Sequence, residues 1–117
     1  MNSDLEAMLD DFADARGWGQ HHLPRSLMLA MVKEVGELTE LVQWIPDSEV
    51  ACWLDQPQNK QNLADEMADI CIYLHYLARA TRVDLSQAIL AKVEANAAKY
   101  PVLKEDQYAP SDRPTGS

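Results

Sequence analysis

Two long segments whose apolar residues repeat at helical spacing constrain the fold of this 117-residue chain most strongly. One runs from Pro24 to about Ile45, and the other from about Lys60 to Thr81. In each segment apolar side chains recur three or four positions apart, which places them on one face of an α-helix. Each face is wide, as in helices of a bundle interior. The pattern predicts two long helices that form the centre of the fold.

Shorter amphipathic segments flank the two long ones. The first runs from about Asp4 to Arg16, with Ser3 or Asp4 as its expected N-cap, and the last from about Val83 to Lys99. Residues 46–59, between the long helices, contain two prolines and are predicted to form a loop. The expected fold class is therefore all-α, with a four-helix core.

The length of the chain fits one domain, predicted to span residues 1–101. Residues 102–117 are polar, contain prolines and are predicted to be an extended or disordered tail unless a partner holds them. Cys71 falls within the apolar pattern of the third helix and is expected to be a small core residue. Because the apolar faces are broad for so small a domain, a homodimer or homotetramer is expected.

The charge balance narrows the classes of partner. Nineteen acidic residues against ten basic ones give a net charge of −9, which disfavours binding to a nucleic acid polymer. No run of 18 apolar residues is present, so no membrane span is expected, and the N-terminus resembles no signal peptide. A cytoplasmic location is the default expectation. An acidic chain remains suited to a phosphate ligand that arrives with divalent cations.

Two acidic pairs at helical spacing are the main candidates for a functional site. Glu34 and Glu37 lie on the first long helix, and Glu66 and Asp69 lie on the second. Residues three apart share a helix face, so adjacent helices can bring the four carboxylates into one small volume. Such a cluster is favourable only with bound cations, and oxygen ligands favour Mg²⁺ or Mn²⁺. The alternative is a pair of solvated helix faces, with Lys33 pairing with Glu37.

Aromatic residues lie beyond each acidic pair. Trp44 follows Glu34 by ten residues and Tyr73 follows Glu66 by seven, which puts each two or three turns along roughly the same face. The arrangement is typical of a pocket with a metal end and a stacking end. Both aromatics would equally suit a core position.

The combined pattern resembles the MazG-like family of all-α nucleoside triphosphate pyrophosphohydrolases. The signature of that family is an ExxE pair and, after a spacer, an ExxD pair. Here 28 residues separate Glu34-Val-Gly-Glu37 from Glu66-Met-Ala-Asp69. Flanking blocks resemble its single-domain branch, which includes animal dCTP pyrophosphatases and MazG-like proteins of mobile gene cassettes. Those blocks are Arg16-Gly17-Trp18, His22 through Leu27, Val83-Asp84-Leu85 and Lys92 through Pro101.

The resemblance implies a role for each matching residue. The four carboxylates would coordinate Mg²⁺ and serve catalysis. Trp18, Trp44 and Tyr73 would surround the base or sugar, with His22 on the substrate side. Lys92, Asn96 and Tyr100 would contact the phosphates or close the pocket.

The reaction implied by the resemblance converts a nucleoside triphosphate and water into the monophosphate and pyrophosphate. The leading substrate is dCTP or a modified dCTP, and the role is nucleotide-pool sanitation. An apolar Leu9 stands where the animal enzymes carry a histidine near the base, which leaves the base preference open.

Acidic residues on adjacent helices also occur in proteins of other functions. A di-iron carboxylate bundle requires Glu-x-x-His pairs, and neither acidic pair here is followed by one. A non-catalytic nucleotide-binding or helical interaction module remains the alternative. Lys92 and Asn96, four residues apart, would also suit an ordinary solvated helix face.

Overall fold

Residues 1–103 are described by the computed structural model, and in this range they form α-helices and no β-strand. The helices are α1 (Ser3–Ala15), α2 (Pro24–Glu40), α3 (Asp47–Leu54), α4 (Pro57–Thr81) and α5 (Leu85–Lys99). A short 3-10 helix, Trp18–His21, lies between α1 and α2. The expected all-α class is confirmed, with one helix more than predicted.

The chain divides into two units. The first comprises residues 1–85 and contains α1 to α4, whereas the second begins at Ser86 and contains almost all of α5. The predicted tail, residues 102–117, lies outside the described residues except for its first two positions. Both of these, Val102 and Leu103, are exposed.

The ends of α1 follow from local chemistry. Asn2, rather than the predicted Ser3 or Asp4, is its N-cap, and the Asn2 carboxamide oxygen accepts a hydrogen bond of 2.8 Å from the Leu5 N–H. After the helix, Gly17 has φ +65°, a left-handed conformation that costs glycine little. This turn brings Trp18 and the 3-10 helix back beside α1.

The prediction of a loop at residues 46–59 is wrong, because this segment contains α3 and the start of α4. Pro46 stands at the N-cap of α3 and Pro57 at the first turn of α4, positions where proline favours a helix start. Helix α2 also ends earlier than expected, at Glu40, and turns replace its last predicted residues.

Helices α2 and α4 pack along each other and form the centre of the first unit. The buried core consists of Ala13 from α1, Leu27 from α2 and Tyr76 from α4. Partly buried apolar side chains surround these three residues: Leu9, Ile72, Tyr73 and Leu77. Helix α1 therefore packs where the beginning of α2 meets the C-terminal part of α4.

Many large apolar side chains remain exposed in the single chain. Those on α2 include Met28, Leu29, Val32 and Val35, and Val32 is 65% exposed. Cys71 on α4 is also exposed, so the prediction that it is a core residue is wrong for the single chain. The stripe of α4 is wider than the surface that its neighbours cover. Within the described residues no helix is long and apolar enough to cross a membrane.

Candidate functional site

Three of the four predicted carboxylates meet between α2 and α4. One carboxylate oxygen from each of Glu34, Glu37 and Glu66 lies within 4.8 Å of the other two, and all three residues are half-buried. The i,i+3 spacing aims Glu34 and Glu37 at α4, whose own turn presents Glu66. Asp69 stands outside this group of three but one turn further along α4.

Electrostatics make this acidic cluster unfavourable in the absence of a cation. Loss of hydration raises the pKa of Glu34 from 4.5 to about 7, with further contributions from the adjacent Glu66 and Glu37 carboxyls and the charge of Asp69. The Oε2 atoms of Glu34 and Glu66 are buried and have no hydrogen-bond partner. Leaving a buried carboxylate oxygen unpaired costs free energy, so these two atoms are candidate metal ligands.

These observations fit a hard divalent cation. The donors are all carboxylate oxygens, the set that Mg²⁺ and Mn²⁺ prefer. Glu34, Glu37 and Glu66 would hold such an ion, and Asp69 is near enough to contribute its charge. A cation there would satisfy the two unpaired oxygens and offset the repulsion among the carboxylates.

The predicted surface pair is also present, but it does not compete with the cluster. Lys33 Nζ lies 3.9 Å from Glu37 Oε1, and the lysine side chain is well exposed. An exposed ion pair of this length contributes at most about 1 kcal/mol. Glu37 therefore contacts solvent on one side and the acidic cluster on the other.

A cavity of about 420 Å³ adjoins Asp69 within the first unit. Its volume is in the range of small-molecule sites. Its walls come from the 3-10 helix and the facing sides of α2 and α4. The lining residues are Trp18, His21, His22, Ser26, Leu27, Ala30, Asp69, Ile72, Tyr73 and Tyr76. The cavity thus has a carboxylate at one border and aromatic rings on its walls.

Ring contacts fix several walls of this cavity. Trp18 meets Phe12 of α1 edge-on, with ring centroids 5.5 Å apart. His22 stacks on Tyr76 at 4.4 Å. Burial, together with the charge of Arg79, lowers the pKa of His22. The imidazole is therefore neutral at pH 7, which suits it to an aromatic wall.

The family follows from comparison with known proteins. Residues 29–110 match the sequence model of the MazG-like family. The chain belongs to the MazG-like family. The matched region begins in α2 ahead of Glu34, so it contains all four carboxylates.

Curated relatives of this MazG-like chain are animal proteins. It is 48% identical to dCTP pyrophosphatase 1 of Bos taurus over 99 residues, which is 85% of this chain and 59% of the relative. Identity to dCTP pyrophosphatase 1 of Homo sapiens is 44% over 98 residues, or 84% and 58% of the two chains. The MazG-like chain thus spans less than two thirds of the length of these relatives.

A solved structure shares the fold of this MazG-like chain. It is a pyrophosphatase from Archaeoglobus fulgidus, with a TM-score of 0.77 and 34% sequence identity. The likeness covers 85% of this chain and 91% of the archaeal one.

The predicted substrate-side residues of the MazG-like chain fall into three groups. Trp18, His22 and Tyr73 line the cavity. Trp44 does not line it and is 87% exposed in the turn that follows α2. The other three lie in the second unit: Lys92 and Asn96 are exposed on α5, and exposed Tyr100 follows it.

Six of the lining residues were absent from the predicted site, and Tyr76 and Ser26 are two of them. Tyr76 lies three positions after Tyr73 on α4, so helical spacing alone puts the two rings on one side. Its position within an apolar stripe gave it the appearance of an ordinary core residue. Ser26 also lines the cavity, and only its proximity to His22 in the chain could have indicated this.

Proposed function

We propose that this chain hydrolyses dCTP, or a modified dCTP, to the monophosphate and pyrophosphate in a Mg²⁺-dependent reaction. The observation that carries the proposal is the Glu34–Glu37–Glu66 cluster, with two unpaired buried oxygens, beside an aromatic cavity in a MazG-like chain. The names of the curated relatives support the choice of substrate. Removal of unwanted nucleotides in the cytoplasm is the role that we infer.

Different residues of the chain would have different roles in this reaction. Bound Mg²⁺ would offset the triphosphate charge and polarise its phosphoryl oxygens. Trp18 and Tyr73 would stack on the base or sugar, at about 1–3 kcal/mol for each stacked base. Asp69 borders the cavity and lies outside the group of three carboxylates. It is our candidate for accepting the proton of the attacking water at a carboxylate oxygen.

The second unit contains three residues for which the family resemblance implies a role toward the substrate. The family resemblance assigns phosphate contacts to Lys92, Asn96 and Tyr100. A lysine ammonium can act as a point charge on a phosphate, and the amide and phenol can donate hydrogen bonds.

A panel of canonical and modified deoxynucleoside triphosphates, assayed for pyrophosphate with Mg²⁺, tests the proposed reaction. We expect turnover of dCTP or a modified dCTP, and loss of turnover by at least about 100-fold in Glu37→Gln and Glu66→Gln. Glu40→Gln, an acidic position on the same helix outside the cluster, is the matched control. If no substrate of the panel yields pyrophosphate, the proposed hydrolase activity is refuted.

Calorimetry separates this enzyme from a non-catalytic binding module. Titration of dCTP with Mg²⁺ into the protein measures binding independently of turnover. Binding without turnover would support the module, whereas binding with turnover supports the hydrolase.

We also propose that the chain assembles as a homodimer, or as a tetramer of two dimers. The support is the exposed apolar surface of α2, which includes Met28, Leu29 and Val32. Contiguous exposed apolar surface on a small domain marks an interaction surface.

A further inference from the structure

The ring of Tyr76 separates two cavities in the first unit. The larger one, of about 420 Å³, extends from Asp69 to this ring. A smaller one, of about 270 Å³, is lined by Gly19, Arg79 and Ala80. Among residues 1–103, only His22 and Tyr76 line both cavities, and these two rings stack on each other. The stacked pair is therefore the partition between the two spaces.

The partition is held in place from several sides. Tyr76 is 4% exposed, and its hydroxyl donates a hydrogen bond of 2.9 Å to the Leu9 carbonyl of α1. The His22 ring covers one side, with centroids 4.4 Å apart. The neighbouring His75 ring lies 5.6 Å away and is itself fixed by a 2.7 Å contact with Asp10. Rotation of the Tyr76 ring out of the cavity would break these contacts, so the wall is fixed.

The wall stands at a defined distance from the acidic end of the cavity. Tyr76 follows Asp69 by seven residues on α4, which is two turns or about 10 Å along the helix. A nucleotide whose phosphates lie at the carboxylates would extend its sugar and base along this distance. The edge of the base farthest from the phosphates would then contact the Tyr76 ring.

We propose that Tyr76 determines specificity by limiting the length of the base, so that pyrimidine deoxynucleotides are accepted and purine deoxynucleotides are rejected. This inference rests on the proposed function. A purine carries a second fused ring, and a fixed wall turns that extra length into a steric cost. Beyond the wall, the smaller cavity contains the room that a purine would need, but the Tyr76 ring closes it.

The test compares Tyr76→Ala with wild type and with Tyr76→Phe. Values of kcat/KM are measured for dCTP, dTTP, dATP and dGTP with Mg²⁺. Removal of the ring joins the two cavities, so we expect the dATP-to-dCTP ratio to rise at least about tenfold in Tyr76→Ala, as for other steric pocket limits. Tyr76→Phe keeps the ring and loses only the hydroxyl, so its ratio should stay close to wild type.

Tyr76 is a core residue, so folding of each variant is checked by circular dichroism and thermal melting. Should Tyr76→Ala unfold, Tyr76→Leu keeps apolar volume while shortening the wall, and the ratio should move in the same direction. A wild-type enzyme that cleaves dATP as well as dCTP overturns the inference, and so does an unchanged ratio in the folded variants. In both cases the proposed hydrolase stands. A wild type that cleaves no nucleotide overturns both proposals.

Discussion

At the scale of single residues, Glu34 has a negative charge that its surroundings in the first unit disfavour. Its folded-state pKa of about 7 lies above the ordinary value of 4.5, because burial and neighbouring carboxyls disfavour its charge. The folded protein therefore binds this proton more tightly than the unfolded chain. It follows that Glu34 reduces the stability of the metal-free protein as the pH rises from 4.5 through 7.

Glu34→Gln should raise the melting temperature of the metal-free protein at pH 8, because the amide removes one charge from the cluster. The same variant should lose the stabilisation that Mg²⁺ gives the wild type, since a ligand that binds only the folded state raises its stability. Differential scanning fluorimetry with EDTA or Mg²⁺ measures both effects. Glu40→Gln is the control, and an equal response to Mg²⁺ in wild type and Glu34→Gln would count against the site.

Residue spacing predicted the acidic pairs, but it did not predict the cavity wall that His22 and Tyr76 form. The i,i+3 rule fixes which carboxylates share a helix face, and it needs no tertiary information. The stacking of His22 on Tyr76 depends instead on how the 3-10 helix folds back over α4. Helical spacing also placed Trp44 on the same helix face as Glu34, whereas α2 ends before Trp44 and the chain turns away.

At the scale of elements, polar contacts fasten α1 to α4. Asp10 contacts His75 Nε2 at 2.7 Å and Arg79 at 3.5 Å, while Asp14 accepts a 2.7 Å hydrogen bond from Arg79. With the Tyr76–Leu9 hydrogen bond, they set the position of α1 beside the cavity. None of these long-range pairs is visible in a periodicity, because each joins residues more than sixty positions apart.

Asp10→Asn should lower the free energy of unfolding by about 1 kcal/mol, because it weakens charged contacts to His75 and Arg79 that are only partly shielded from solvent. Urea denaturation measures the change. Asp11→Asn alters the adjacent, exposed aspartate and should have little effect. Equal losses in the two variants would show that the contacts between α1 and α4 contribute no stability.

The end of α4 carries a backbone cost that glycine would relieve. Arg82 has φ +58°, a left-handed conformation that an L side chain rarely adopts. Arg82→Gly should therefore stabilise the protein by about 0.5–1 kcal/mol in urea denaturation. Arg82→Ala, which keeps the Cβ, is the matched control and should show no such gain.

The error in residues 46–59 has a physical reason. Proline interrupts a helix interior but favours the first turn, where its missing N–H has no partner to lose. Pro46 and Pro57 are both start positions, so each proline that suggested a loop instead marks the beginning of a helix. The negative charges of Asp47 and Glu49, in the first turn of α3, also interact favourably with the positive end of the helix dipole.

At the scale of the whole molecule, the apolar pattern exceeds what one chain buries. Sequence periodicity predicted the all-α class and both long helices, since it reports which side of a helix is apolar. It does not report whether the chain itself or another copy covers that side. Cys71 and Val32 belong to this uncovered surface.

Val32→Glu should convert the proposed oligomer into a monomer, because it places a charge at the centre of the exposed apolar surface of α2. Size-exclusion chromatography with light scattering measures the mass of each species. Ser48→Glu, which adds the same charge at an exposed site on α3, should retain the wild-type mass. A monomeric wild type, or an oligomer that tolerates Val32→Glu, would contradict the assembly.

The exposed indole of Trp44 gives this protein a natural optical reporter. In the single chain its fluorescence should be red-shifted and readily quenched by iodide, in contrast to that of Trp53, which is half-buried on α3. Covering of this indole by a nucleotide or a second copy would move the emission to shorter wavelength. Substitution of Trp44 by phenylalanine assigns that signal, so ligand binding and assembly can be followed without a label.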